Sequence, residues 1–130
     1  IISFLVYAEG TLLDGTPLKS AIEQIDKQVT PKPFGYFINC VHPTVFEQAI
    51  NNSQNSSAFV RERILGLQAN TSSKRPEELD GSAELISEDP EQFASSMVSL
   101  NKKYGIKMLG GCCGTNENHI SAIAKALELK

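Results

Sequence analysis

The sequence predicts an α/β fold built from four βα units with parallel strands. Two observations carry this. Short apolar runs rich in β-branched and aromatic residues alternate four times with segments whose apolar residues recur at helical spacing. The first run also lacks the in-out alternation of a sheet with one wet face, as expected where helices cover a parallel sheet.

In order, Ile1 to Tyr7 is nearly all apolar and reads as a strand buried on both faces. A loop ends in Asp14-Gly15, a turn signal, with Thr16 as predicted N-cap and Pro17 where a missing amide costs nothing. Leu18, Ala21, Ile22, Ile25 and Val29 then mark a helix of about three turns, closed by Pro31 and Pro33. Gly35 to Cys40 is the second strand, and Pro43 to about Asn51 a short helix with Phe46 and Ile50 on one face. Asn51 to Ser57, rich in Asn and Ser, reads as a solvated loop, and Arg63 to Ala69 as the third strand. Lys74 to Ser87 has no clear period, and connections of that length tend to be functional or mobile. Asp89, Pro90 and Gln92 form a helix start, Phe93, Met97, Leu100 and Tyr104 line one face, and Gly105 ends the helix. Ile106 to Leu109 is the fourth strand. Thr115 is the predicted cap of a last helix with a buried stripe of Ile120, Ile123, Ala124 and Leu127.

The 130 residues fit one domain, with 41% hydrophobic residues to build a core. The net charge of -3, without a basic stripe, gives no footprint for nucleic acid or an anionic membrane. No apolar run approaches the roughly 20 residues of a membrane span. No positive region precedes the first strand and no small-residue cleavage site follows it, so it is not read as a signal peptide. Three cysteines, an odd number including a neighbouring pair, argue against a disulfide framework and for a reducing, cytoplasmic setting.

The chemistry concentrates in Gly110-Gly111-Cys112-Cys113-Gly114-Thr115. Adjacent cysteines rarely bridge, because the ring is strained, and two neighbouring thiolates repel unless a cation or proton lies between them. Cys40 also ends a strand, so three sulfurs would leave one open position, the pattern of a catalytic zinc. Free cysteines are often simply core. Against that, three glycines strip side chains from around the pair and let another molecule come close. Cys40, Asn70 and the Cys112-Cys113 pair all fall at carboxyl ends of strands, where α/β folds gather functional groups. His42 is read as a loop residue rather than a ligand, His119 as surface, Asp14 as a turn residue, and the charges from Lys74 to Glu84 as a solvated loop.

The GGCCGT stretch, the upstream Asn39-Cys40 and the Asp14-Gly15-Thr16 helix entry together resemble the homocysteine S-methyltransferase family, from end to end of the chain. The resemblance implies a (β/α)₈ barrel with zinc held by Cys40, Cys112 and Cys113. It also implies that Asn70 matches an asparagine that in some members fills the fourth zinc position until homocysteine displaces it. The implied reaction is methyl transfer to the homocysteine thiol, giving methionine. No cobalamin or folate domain accompanies the stretch, which favours a small sulfonium donor such as S-methylmethionine.

Barrels of this kind take roughly 250 residues or more, so the resemblance is to the second half: residues 1–130 form a single partial domain. First-half residues that would hold the amino and carboxylate groups of homocysteine have no counterpart. Two open sheet edges predict a missing half-barrel partner or self-association. Two other readings stand beside this one. Gly110-Gly111 and the following helix could bind a phosphate or flavin, or the chain could be a non-catalytic metal-binding or interaction module.

Overall fold

A computed structural model of the chain describes residues 1–79 and 87–128. Strands β1 (Ile2–Phe4), β2 (Tyr36–Val41), β3 (Ile64–Ala69) and β4 (Met108–Gly111) form one sheet in the order β1-β2-β3-β4, every pair parallel. Each strand lies beside its predecessor, and the order never reverses as it does in doubly wound sheets. This is the arrangement of half a (β/α)₈ barrel. The helices are α1 (Leu18–Gln28), α2 (Pro43–Asn51), α3 (Ala58–Arg63), α4 (Pro76–Leu79), α5 (Pro90–Tyr104) and α6 (Glu117–Glu128).

One sheet face makes the core. Tyr36, Ile38, Val41, Leu67 and Ala69 are buried there against Leu18 and Ile22 of α1, Phe46 and Ile50 of α2, and Phe93 and Met97 of α5. The opposite face carries Ser3, Phe37, Asn39, Gly66, Gln68, Met108 and Gly110, which share rungs of the ladder. Ser3, Gln68 and Met108 are exposed. Gly66 is required on this face, since a Cβ there would lie 2.9 Å from both Phe37 and Met108.

Several expectations are corrected. The first strand is Ile2–Phe4 and not Ile1 to Tyr7, and it is not buried on both faces: as an edge strand it leaves Ser3 exposed. Helix α1 begins after Pro17, not Thr16, because the Asp14 carboxylate takes the Thr16 amide at 2.9 Å and keeps it in the turn. The stretch from Asn51 to Ser57 is not wholly solvated. Asn55 is fully buried, donating to the carbonyls of Gly10 and Ala49 and accepting from the Lys19 amide, so it ties the loop after β1 to the turn after α2. Helices α3 and α4 were not foreseen, and residues 80–86 of the expected long connection lie outside the described residues. The start of α5 agrees with the sequence: Asp89 accepts from the amides of Glu91 and Gln92, and Gly105 closes the helix at φ 70°.

Away from the cysteines, at the amino ends of the strands, Asp26 accepts from Arg63 at 2.9 Å through both carboxylate oxygens and from the Tyr36 hydroxyl at 2.8 Å. Arg63 also donates to the carbonyls of Pro33 and Phe34 and covers the Tyr36 ring. Burial acts to raise the Asp26 carboxyl, but the bonds from Arg63 and Tyr36 and the Arg63 charge outweigh it, and its pKa lies below the ordinary value. Burial, together with the bond to Asp26 and its charge, pushes Tyr36 up to about 12.

Candidate metal centre

Cys40 reaches the site through a fault in β2. The ladder pairs Asn39 with Gln68 and then Val41 with Ala69, skipping Cys40, whose φ is 57°. Such a bulge re-aims a side chain. Val41 thereby stays in the core while Cys40 turns to the strand ends. The left-handed conformation is unfavourable for cysteine and is held by neighbours: Asn70 donates from Nδ2 to the Cys40 carbonyl at 3.0 Å, and the Asn70 amide donates to the Val41 carbonyl at 3.1 Å. The Asn70 Oδ1 accepts from the Ser72 amide at 3.0 Å.

Cys112 and Cys113 follow directly on β4. The Cys112 amide donates to the Ala69 carbonyl at 2.7 Å, and the Thr71 amide to the Cys113 carbonyl at 3.2 Å, so the ladder with β3 continues into the loop. Thr115 folds the loop back by donating from Oγ1 to the Cys112 carbonyl at 2.7 Å. It therefore does not cap α6. That place falls to Asn116, whose Oδ1 accepts from the Asn118 amide at 2.9 Å.

The three Sγ atoms lie within 4.8 Å of one another. Cys112 and Cys113 are not bonded, at 3.9 Å between sulfurs, close to the roughly 3.8 Å that two thiolates on one tetrahedral zinc would show. Cys40 and Cys112 are joined as a disulfide with their Cα atoms 5.6 Å apart, and Cys113 is free and exposed. This corrects the argument against disulfides. An odd count prevents full pairing but not this one pair, because the bulge brings two strand ends within bridging range. A metal would need both cysteines reduced. With that condition the donor set fits: three soft ligands on two strand ends, one of them solvent-facing.

His42 and His119 do not join the sulfurs. His42 caps α2, its Nδ1 accepting from the Thr44 amide at 3.2 Å, so Nε2 donates to the Glu88 carboxylate at 3.0 Å. His119, expected at the surface, is buried at 1% exposure. Its Nε2 donates to the Glu88 carbonyl at 2.7 Å, and its ring meets Phe93 edge-on at 5.4 Å. The buried stripe of α6 is accordingly His119, Ala122 and Ile123, with Ile120 and Ala124 outside. Ile123 is buried and Leu127 packs against the core, as expected, whereas His119 and Ala122 take the buried places expected for Ile120 and Ala124. Asp14 is a turn residue, as expected. Glu88 carries no signal in the sequence, being a lone carboxylate between the aperiodic stretch and the helix start at Asp89. A cavity of about 310 Å³ opens beside Cys40, lined by Val6, Tyr7, His42 and Lys74 among others.

An in-order parallel sheet with three thiols at its carboxyl edge defines a barrel-type α/β protein with a site that could hold a metal. The chain belongs to the homocysteine S-methyltransferase family, whose model matches residues 1–127. It is thus a member of a methyltransferase family. A comparison with curated proteins gave no match. No described helix is long and apolar enough to cross a membrane.

Proposed function

We propose that this chain carries the metal half of a zinc-dependent enzyme that transfers a methyl group to the thiol of homocysteine, giving methionine. The observation that supports it most is the convergence of Cys40, Cys112 and Cys113 within 4.8 Å, in a chain of this family. Bound there, zinc would supply a Lewis acid that holds the homocysteine thiol as a thiolate at neutral pH.

The chain's own residues do the rest. Cys40, Cys112 and Cys113, as thiolates, would be the ligands, and the exposed side of Cys113 would leave room for a fourth group. Asn70 anchors the Cys40 bulge, and its Oδ1, which accepts one bond from Ser72, keeps a second lone pair that could be offered to a bound zinc in the absence of substrate. The cavity beside Cys40, with Lys74 at its lining, suits a small molecule bearing a carboxylate. The donor is a small sulfonium such as S-methylmethionine. In the transfer the substrate sulfur bonds to the methyl carbon, and the donor's carbon–sulfur pair stays on the donor sulfur, which leaves as a thioether. The open edges of β1 and β4 and the exposed face of Ser3, Gln68 and Met108 fit a role completed by a further half barrel or a second copy.

The test is metal content and methyl transfer measured together. The reduced protein should hold one zinc per chain, and Cys40→Ser, Cys112→Ser and Cys113→Ser should each lose it. In the assembled enzyme the same variants should lose methyl transfer to homocysteine. A variant that kept both would remove that cysteine from the ligand set.

A further inference from the structure

Zinc ligation by three thiolates requires two loops, one after β2 and one after β4, to be held at a fixed spacing, yet they share no side-chain hydrogen bond among the described residues. Residues 69–71 join them from the sheet side, bonding Cys40, Val41, Cys112 and Cys113 through Ala69, Asn70 and Thr71, and the Cys40–Cys112 bond does so when it is formed. From the helix side they are joined by the short segment between them in sequence, Ser87 to Asp89. Glu88 accepts from His42 Nε2 at 3.0 Å through its carboxylate, and His42 is two residues from Cys40. The carbonyl of the same residue accepts from His119 Nε2 at 2.7 Å, in the first turn of α6. Ser87 Oγ donates to the Gly114 carbonyl at 3.0 Å, directly after Cys113. Three bonds from two consecutive residues therefore grip both cysteine loops.

The two histidine bonds are sheltered. The His42 and Glu88 side chains are 11% and 22% exposed, and His119 is packed under Phe93. A carbonyl only accepts, so the His119 bond fixes that ring as the Nε2–H form; the Thr44 amide fixes His42 likewise. Neither ring has a nitrogen to spare for a metal.

We infer that Glu88 is a positioning residue for the thiol site: it staples the Cys40 loop to the Cys112-Cys113 loop through His42 and His119, and so helps to set the spacing of the sulfurs. The inference rests on the metal reading above for its importance, but not for its geometry. Removing partners that orient ligands typically costs 10- to 100-fold in metal affinity.

The experiment uses the full chain and two readouts. The first is zinc affinity of the reduced protein by competition with a chromogenic chelator. The second needs no metal: the equilibrium of the Cys40–Cys112 disulfide in glutathione buffers, in a Cys113→Ser background. There the two thiols release two protons and pass two electrons to oxidised glutathione, which becomes two reduced molecules. Glu88→Ala should weaken zinc about tenfold and lower the effective concentration of the two thiols by a similar factor. Glu88→Gln, whose amide oxygen still accepts from His42, should restore most of both. Asp26→Ala, which loosens the far end of the sheet, should leave the thiol equilibrium of the folded protein unchanged. Wild-type values for Glu88→Ala in the disulfide equilibrium would overturn the inference. Should Glu88→Ala fail to fold, His42→Asn, which can still cap α2 but is too short to reach Glu88, removes the same bond from its other end, and an unchanged disulfide equilibrium there would overturn the inference equally. If the wild type binds no zinc, the functional reading fails, while the glutathione measurement still decides the staple.

Discussion

The Asn70 side-chain amide donates to the Cys40 carbonyl at 3.0 Å, bridging from the end of one strand to a bulge in its neighbour. Asn70 is 3% exposed, so nothing replaces this bond when it is lost. Asn70→Ala should cost about 1–3 kcal/mol, the usual penalty for leaving a buried polar group unpaired. Urea unfolding of the reduced protein measures it. Zinc stoichiometry should stay at one per chain, because the three thiols remain; loss of the metal would instead make Asn70 an obligatory ligand.

Thiol counting separates the oxidised protein from the metal-loaded one. With Cys40 and Cys112 paired, one of the three cysteines is free, so an alkylating reagent should modify one thiol per chain, at Cys113. Reduction should raise the count to three, and zinc added after reduction should slow modification of all three together. Mass spectrometry of the alkylated chain reports each state. Protection of Cys113 alone would contradict a shared site.

The Asp26, Tyr36 and Arg63 network predicts where stability fails with pH. Asp26 has a depressed pKa in the folded state, so its contribution is present above the unfolded value of 3.8 and is lost as pH falls through the lower folded value. Tyr36 is raised from 10.0 to about 12, so its contribution is full below pH 10 and disappears as pH rises towards 12. Thermal melting should show a plateau between these limits. Asp26→Asn should weaken the acid-side loss, and Tyr36→Phe the alkaline one. An unchanged alkaline limb in Tyr36→Phe would remove that tyrosine from the account.

Gly111 controls the approach of β4 to its own loop. A Cβ there would sit 2.7 Å from the Thr115 Cβ, so Thr115 must move and its bond to the Cys112 carbonyl must break. Gly111→Ala should destabilise the fold by about 1–3 kcal/mol, typical of overpacking, and weaken zinc binding as well. Paired unfolding and chelator titrations test this. Gly110→Ala is the contrast, since its Cβ would meet only Gln68 at an ordinary 3.7 Å.

The alternation of apolar runs and helical periods is visible in the sequence because each βα unit repeats the same burial. The fourfold plan and the cap at Asp89 were therefore legible, and so was the set of strand ends bearing Cys40, Asn70 and the cysteine pair. What could not be read depends on distant partners. The bulge at Cys40 arises from register with β3, which no local propensity records. His119 looks polar and exposed until the carbonyl of Glu88 gives it a partner, and Asn55 looks like loop until Gly10 packs over it. The disulfide required the spacing of two strand ends that are 72 residues apart in sequence.

Cys40 occupies a backbone region that costs an ordinary residue roughly 1–2 kcal/mol, whereas glycine would adopt it freely and lose only about 0.5–1 kcal/mol through its greater freedom when unfolded. In the reduced protein, where Cys40 has no bond to Cys112, Cys40→Gly would therefore relieve the backbone while removing one of the three sulfurs. The bulge thus places a thiol where the backbone alone would favour no side chain at all.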